Sequence, residues 1–179
     1  MDRDYQRQRV YDAETSVARQ LDAANRGVTR VEVAGSVLNL QPDLRYGSID
    51  AAGVRAASVQ HQPWFAARFP RAAAHPATVR HRRGDRRAHY EAGVIALHDA
   101  SHTTGWQMRD LTLCHELAHH THLHDAPAGP SHGPVWAGHQ LTLVRHVISD
   151  EAALLLTVAF ANHHVDVTAL PDPQGASDG

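Results

Sequence analysis

The hexapeptide Cys114-His115-Glu116-Leu117-Ala118-His119 constrains this chain more than any other segment. Histidines four residues apart on a helix project from one face, close enough to grip a single ion. Glu116 is one residue on from His115, about 100° further round the helix axis. Its carboxylate therefore points beside such an ion, where a coordinated water would lie. The histidine and glutamate frequencies of the chain give about 0.04 such matches by chance, so composition does not explain the motif. Leu111, Leu113, Cys114, Leu117 and Ala118 make the segment apolar, as a central helix must be. Cys114 follows as a small core residue.

Two imidazoles do not complete a catalytic centre; zinc sites of that kind take three protein ligands and keep a fourth position open. The third ligand expected is His132, in Ser131-His132-Gly133-Pro134-Val135-Trp136. The run Asp125 to Pro130 cannot continue a helix, and a chain turning through it can bring His132 back to the first pair. Gly133 permits close backbone approach and Pro134 suits a first helical turn. Asp125 is a rival, at a spacing used by metzincins that ligate through aspartate. That architecture needs glycine where His122 stands and a downstream methionine turn, whereas the methionines here are Met1 and Met108. Glu151 reads better as a first-turn acid favoured by a helix dipole. With zinc in place the water pKa falls to roughly 7. Glu116 is then expected to take its proton as it attacks a carbonyl and to pass it to the leaving group. Tyr90 and the loop histidines are candidates for stabilising the oxyanion, with none singled out.

The pair His-Glu-Leu-Ala-His-His and His-Gly-Pro-Val-Trp resembles the SprT-like zincins, in which a His-Gly-x-x-aromatic element after the active-site helix brings the third histidine. The chain is more closely similar to a family of HExxH metallohydrolases from mycobacteria and related actinobacteria. That similarity runs from Arg3-Asp4-Tyr5-Gln6-Arg7, through Val31 to Leu40, to beyond the last helix. It implies a compact zincin domain with the ligands His115, His119 and His132. Trp136 stands where the SprT-like element usually has phenylalanine, and either ring packs as an anchor. The cysteine-rich zinc ribbon of some SprT relatives is not seen.

The remaining pattern is α+β. Val10, Ala13, Val17 and Leu21 give an amphipathic helix over about residues 4–26, closed by Gly27. Val31 to Leu40 reads as a hairpin around Gly35-Ser36. Ser48 and Asp50 offer starts for a helix to about Val59, and Trp64, Phe65 and Phe69 form an apolar cluster closed by Pro70. Thr78 to Arg80 and His89 to Glu91 read as strands joined by a turn at Gly84-Asp85, with Gly93 to His98 as a further strand, so the sheet is expected to be mostly antiparallel. Ser101, Thr103 and Thr104 supply caps for the motif helix, taken to about His122. Helices from Pro134 to about Ile148 and from Glu151 to about Asn162 follow, the latter capped by Ser149-Asp150. Residues 1–170 read as one zincin-like domain and 171–179 as a disordered tail.

Composition narrows the function classes. No apolar run spans a bilayer and the N-terminus has no apolar leader core, so a soluble, cytoplasmic protein is expected. A single cysteine fits a reducing compartment. All 17 basic residues are arginine, yet the formal charge is −2, which argues against a global field for nucleic acid. The run Arg80, Arg82, Arg83, Arg86, Arg87 is read as a solvated hairpin tip with Asp85 rather than a DNA contact. His120, His122 and His124 are read as exposed helix-end residues, and His163 and His164 lie at a helix end. The expected partner is a peptide or protein substrate. The reading from another class is a zinc-stabilised interaction module without catalysis. An intact Glu116 favours the enzyme, since a structural site has no use for that carboxylate.

Overall fold

The computed structural model describes residues 4–82, 88–98, 108–126 and 129–171. Its pattern is α+β. Helix α1 (Arg7–Asn25) buries Val10, Ala13, Val17 and Leu21, the stripe that the helical period requires. It ends as a Schellman turn, with Gly27 N–H bonded to Ala24 O (2.9 Å) and Val28 N–H to Ala23 O (2.9 Å). The helix begins at Arg7 rather than near Asp4, with Gln6 O at its N-cap accepting from Val10 N–H at 3.0 Å and the Gln6 side chain bonded elsewhere. Its amide donates to His132 O at 3.0 Å and accepts from Asp166 N–H at 2.6 Å.

Strands β1 (Arg30–Val33) and β2 (Ser36–Asn39) pair antiparallel as the hairpin expected. Their turn places Ala34 and Gly35 at φ 48° and 79°, the twist that two-residue hairpins prefer. Helix α2 (Ile49–Gln60) is capped by Ser48, whose Oγ accepts from Ala51 N–H. The aromatic cluster forms two short helices, α3 (Pro63–Arg68) and α4 (Pro70–Ala74), with Phe65 and Phe69 fully buried.

The second sheet departs from the sequence expectation. Strands β3 (Thr78–His81), β4 (His89–Glu91) and β5 (Val94–Leu97) run in the order β3-β5-β4. β3 and β4 do not pair; β3 lies parallel to β5, and β4 forms the hairpin with β5 through Ala92 and Gly93, both at positive φ. The sheet is thus mixed. β5, Val-Ile-Ala-Leu, has the deepest burial of the three strands and takes the centre, leaving the more polar β3 and β4 at the edges. The Gly84-Asp85 turn, with Arg83, Arg86 and Arg87, lies outside the described residues.

Helix α5 (Asp110–Asp125) carries the motif, flanked by α4 and β4 on one side and α6 (Pro134–Val147) on another. It starts later than expected, after an extended Arg109, and runs one turn past His122. Ser101, Thr103, Thr104 and His102 lie outside the described residues, as does the tail from Asp172. Buried charge fixes the α5 start. Arg109 forms a two-bonded pair with Asp43 (2.6 Å each), and Asp110 takes two bonds from Arg55 and one from the Tyr46 hydroxyl. Helix α7 (Asp150–Asn162) is capped by Ser149 and packs on α1 and α6. No helix among the described residues is long and apolar enough to cross a membrane.

Candidate metal centre

His115 and His119 leave α5 on the face that looks toward α1 and the start of α6, and His132 meets them from the turn before α6. Local chemistry brings His132 there. Gly133 N–H closes a turn on Pro130 O at 2.9 Å, and a Cβ at Gly133 would sit 2.8 Å from the Pro130 ring and 3.0 Å from its carbonyl oxygen. The Nε2 atom of His115 lies 3.2 Å from that of His119 and 3.4 Å from that of His132. Two nitrogens of a tetrahedral zinc centre, each about 2.0–2.1 Å from the metal, are about 3.3–3.4 Å apart.

The far side of two rings fixes which nitrogen is offered. His115 Nδ1 lies 2.7 Å from Glu14 Oε1, and His132 Nδ1 lies 2.7 Å from Asp4 Oδ2. A carboxylate only accepts, so each Nδ1 carries the proton and each Nε2 presents a lone pair. Glu14 also accepts from the Gln140 amide. Trp136 is fully buried and its ring meets all three imidazoles at 4.7–5.1 Å between centroids. Tyr11 stacks on His115 at 5.4 Å.

Electrostatics favours neutral ligands at two positions. Burial pushes His119 well below the usual histidine range, and proximity to His115 and His132 pushes it further. Burial and His115 likewise bring His132 down to about 4, against the opposing bond to Asp4. At His115 burial also opposes the charge, but Glu14 outweighs it and the pKa is raised. The Nε2 lone pairs of His115 and His132 face each other at 3.4 Å and repel, and a cation between them removes the conflict. The residues present therefore fit a divalent metal.

Glu116 is buried beside His115. Burial, helped by the Glu14 charge, raises its carboxyl to about 7, with His115, Arg82 and the Tyr90 backbone N–H pulling the other way. The histidines and Glu116 line a cavity of about 960 Å³ whose other walls include Arg7, Tyr11, Arg82, His89 and Tyr90.

Other sequence candidates are placed elsewhere. Both Asp125 carboxylate oxygens accept backbone N–H bonds at 3.0 Å, from Arg71 and Ala72, capping α4. Glu151 is a first-turn acid of α7, and Cys114 is fully buried with its thiol pushed up by burial. His120 and His122 are buried, which corrects their reading as exposed, while His124 is half-buried. The helix continues to Asp125 with α4, β4 and α6 packed round it, so its last turn is not a free end. His120 Nε2 meets Ala72 O (3.3 Å), which leaves Nδ1 to accept from the Tyr90 hydroxyl (3.0 Å). That hydroxyl accepts in turn from Gly93 N–H at 3.1 Å. Its proton is committed to His120, so Tyr90 braces β4 against α5 and is not a donor to the cavity.

Sequence reasoning assigned no role to the N-terminal helix. Asp4, Arg7, Tyr11 and Glu14, at steps of three, four and three, form a polar stripe that faces the histidines. The signal was Glu14 and Tyr11 on a helix whose neighbouring positions are apolar. No family model, no curated protein and no solved structure matches this chain.

Proposed function

We propose that this chain is a zinc-dependent metallohydrolase of zincin-like, SprT-like architecture that cleaves amide bonds in peptides or proteins. The observation that carries the reading is the meeting of three imidazole Nε2 atoms, within 4.8 Å of one another, beside a buried glutamate on the wall of an open cavity. A zinc ion held by His115, His119 and His132 would supply Lewis acidity, polarising the scissile carbonyl and acidifying a water. Glu116 accepts the proton of the attacking water as oxygen bonds to the carbonyl carbon. It then delivers that proton to the nitrogen as the C–N bond breaks. Glu14 and Asp4 hold the ligand rings in place, and Trp136 excludes water from their backs.

A peptide substrate is supported by β4. This edge strand pairs with β5 on one side, while the Tyr90 N–H on the other side reaches Glu116. An extended chain laid along that edge would pass the carboxylate.

The test is zinc content and turnover in parallel. The purified protein is expected to hold about one zinc per chain and to cleave a mixed fluorogenic peptide library. Glu116→Gln keeps the zinc and loses the cleavage. Cleavage undiminished in Glu116→Gln contradicts the reading.

A further inference from the structure

We infer that the site takes an anionic amide substrate, whose carboxylate is received by Arg7 and Arg82; the inference deepens the hydrolase reading and rests on it. Arg7 opens α1 and Arg82 follows β3, so the two cations reach one cavity from different elements. Of the carboxylates around them, Glu14 is held by His115 and Gln140 and Glu116 by the Tyr90 N–H; Asp4 meets His132 through Oδ2 while its buried Oδ1 has no hydrogen-bond partner among the described residues, and Glu91 is exposed, 3.8 Å from His89. Among the described residues no carboxylate stands within ion-pair distance of Arg7 or Arg82, although Asp22, Asp43 and Asp110 all pair with arginines elsewhere.

Arg7 is exposed, yet its side chain makes contacts of its own. The Arg7 guanidinium lies over the Tyr11 ring, 5.7 Å from its centroid, and bonds the Tyr11 hydroxyl. Tyr11 stacks on His115, so Arg7 is tied to the ligand cluster itself. Arg82 is half-buried and its backbone N–H is fixed to Leu97 O at 2.8 Å, placing its charge where Glu116 feels it. α1 has no acidic residue in its first turn, so its dipole adds to the same positive field. Most of the residues lining the cavity are polar or ionisable, with apolar surface from Leu123, Ala88, Ala92 and the rings of Tyr11 and Tyr90. A guanidinium fork with no ion-pair partner among the described residues is suited to a planar carboxylate. The preferred amide thus carries an acidic side chain or free C-terminal carboxylate next to the scissile bond.

The test uses the full chain loaded with cobalt(II), whose visible absorption reports ligands without any turnover. Two hydroxamates are titrated: acetohydroxamate, and succinic acid monohydroxamate, which adds one carboxylate. The succinyl probe is expected to bind about tenfold more tightly, and Arg7→Met and Arg82→Met each to remove most of that preference while acetohydroxamate stays within about twofold. In unsubstituted protein the preference should shrink at roughly 0.5 M salt. Equal affinity for both probes, or a preference retained in both variants, overturns the inference and leaves the metal reading standing. A protein that takes up no cobalt overturns the metal reading and this inference with it.

Discussion

Glu14 Oε1 and His115 Nδ1 stand 2.7 Å apart, both buried, across a separation of 101 residues. The contact ties the N-terminal helix to the motif helix and decides which nitrogen His115 presents. Replacing Glu14 with Gln keeps the volume but removes the charge that favours the bond. Zinc affinity is expected to fall about 10–100-fold, measured by competition with a chromophoric chelator. Unchanged affinity would show that α1 is structural only.

Asp125→Ala separates two roles for one carboxylate. Because both oxygens cap α4, the variant should lose about 1–2 kcal/mol of stability in denaturant unfolding and keep its metal stoichiometry. Loss of metal with unchanged stability would reinstate Asp125 as a ligand.

Gly138 faces the segment that follows α7. A Cβ there would sit 2.0 Å from Thr168 O, and Thr168 N–H is bonded to Pro134 O at 2.8 Å. Gly138→Ala must lift that segment off α6, costing about 1–3 kcal/mol. A thermal melt no lower than that of the unsubstituted chain would contradict this packing.

His139 gives a pH dependence. It is 2% exposed, stacks on Phe69 and pairs with Thr121 Oγ1 at 2.9 Å. Burial lowers it to about 4, with the neighbouring His122 and Arg68 adding to the effect. The native state therefore binds this proton less readily than the unfolded chain, whose histidine titrates near ~6.5. Stability is fully present above pH ~6.5 and is lost as pH falls toward about 4, by an amount on the order of 2–3 kcal/mol. Urea unfolding at pH 7, 6, 5 and 4.5 measures the slope, which should be shallower in His139→Asn. An identical slope in the variant would remove His139 from the account.

What could be read in the sequence was mainly local. The stripe of Val10, Ala13, Val17 and Leu21, the Ser48 and Ser149 caps and the i, i+4 pair His115 and His119 all follow from helical period and capping chemistry. The parallel pairing of β3 with β5 was hidden because the short segments 78–80 and 89–91 look like hairpin arms, and only the burial of β5 decides the order. The burial of His120 and His122 depends on α4, β4 and α6 closing round α5. The role of Asp4 and Glu14 was hidden for the same reason: their partners lie 128 and 101 residues away.

The central claim is tested most directly by zinc K-edge X-ray absorption on the loaded protein. The account predicts a first shell of three imidazole nitrogens and one light oxygen donor at about 2.0–2.1 Å, reduced to two imidazoles or stripped of metal in His132→Ala. A sulfur scatterer, a shell of carboxylate oxygens alone, or a spectrum unchanged by His132→Ala would contradict it.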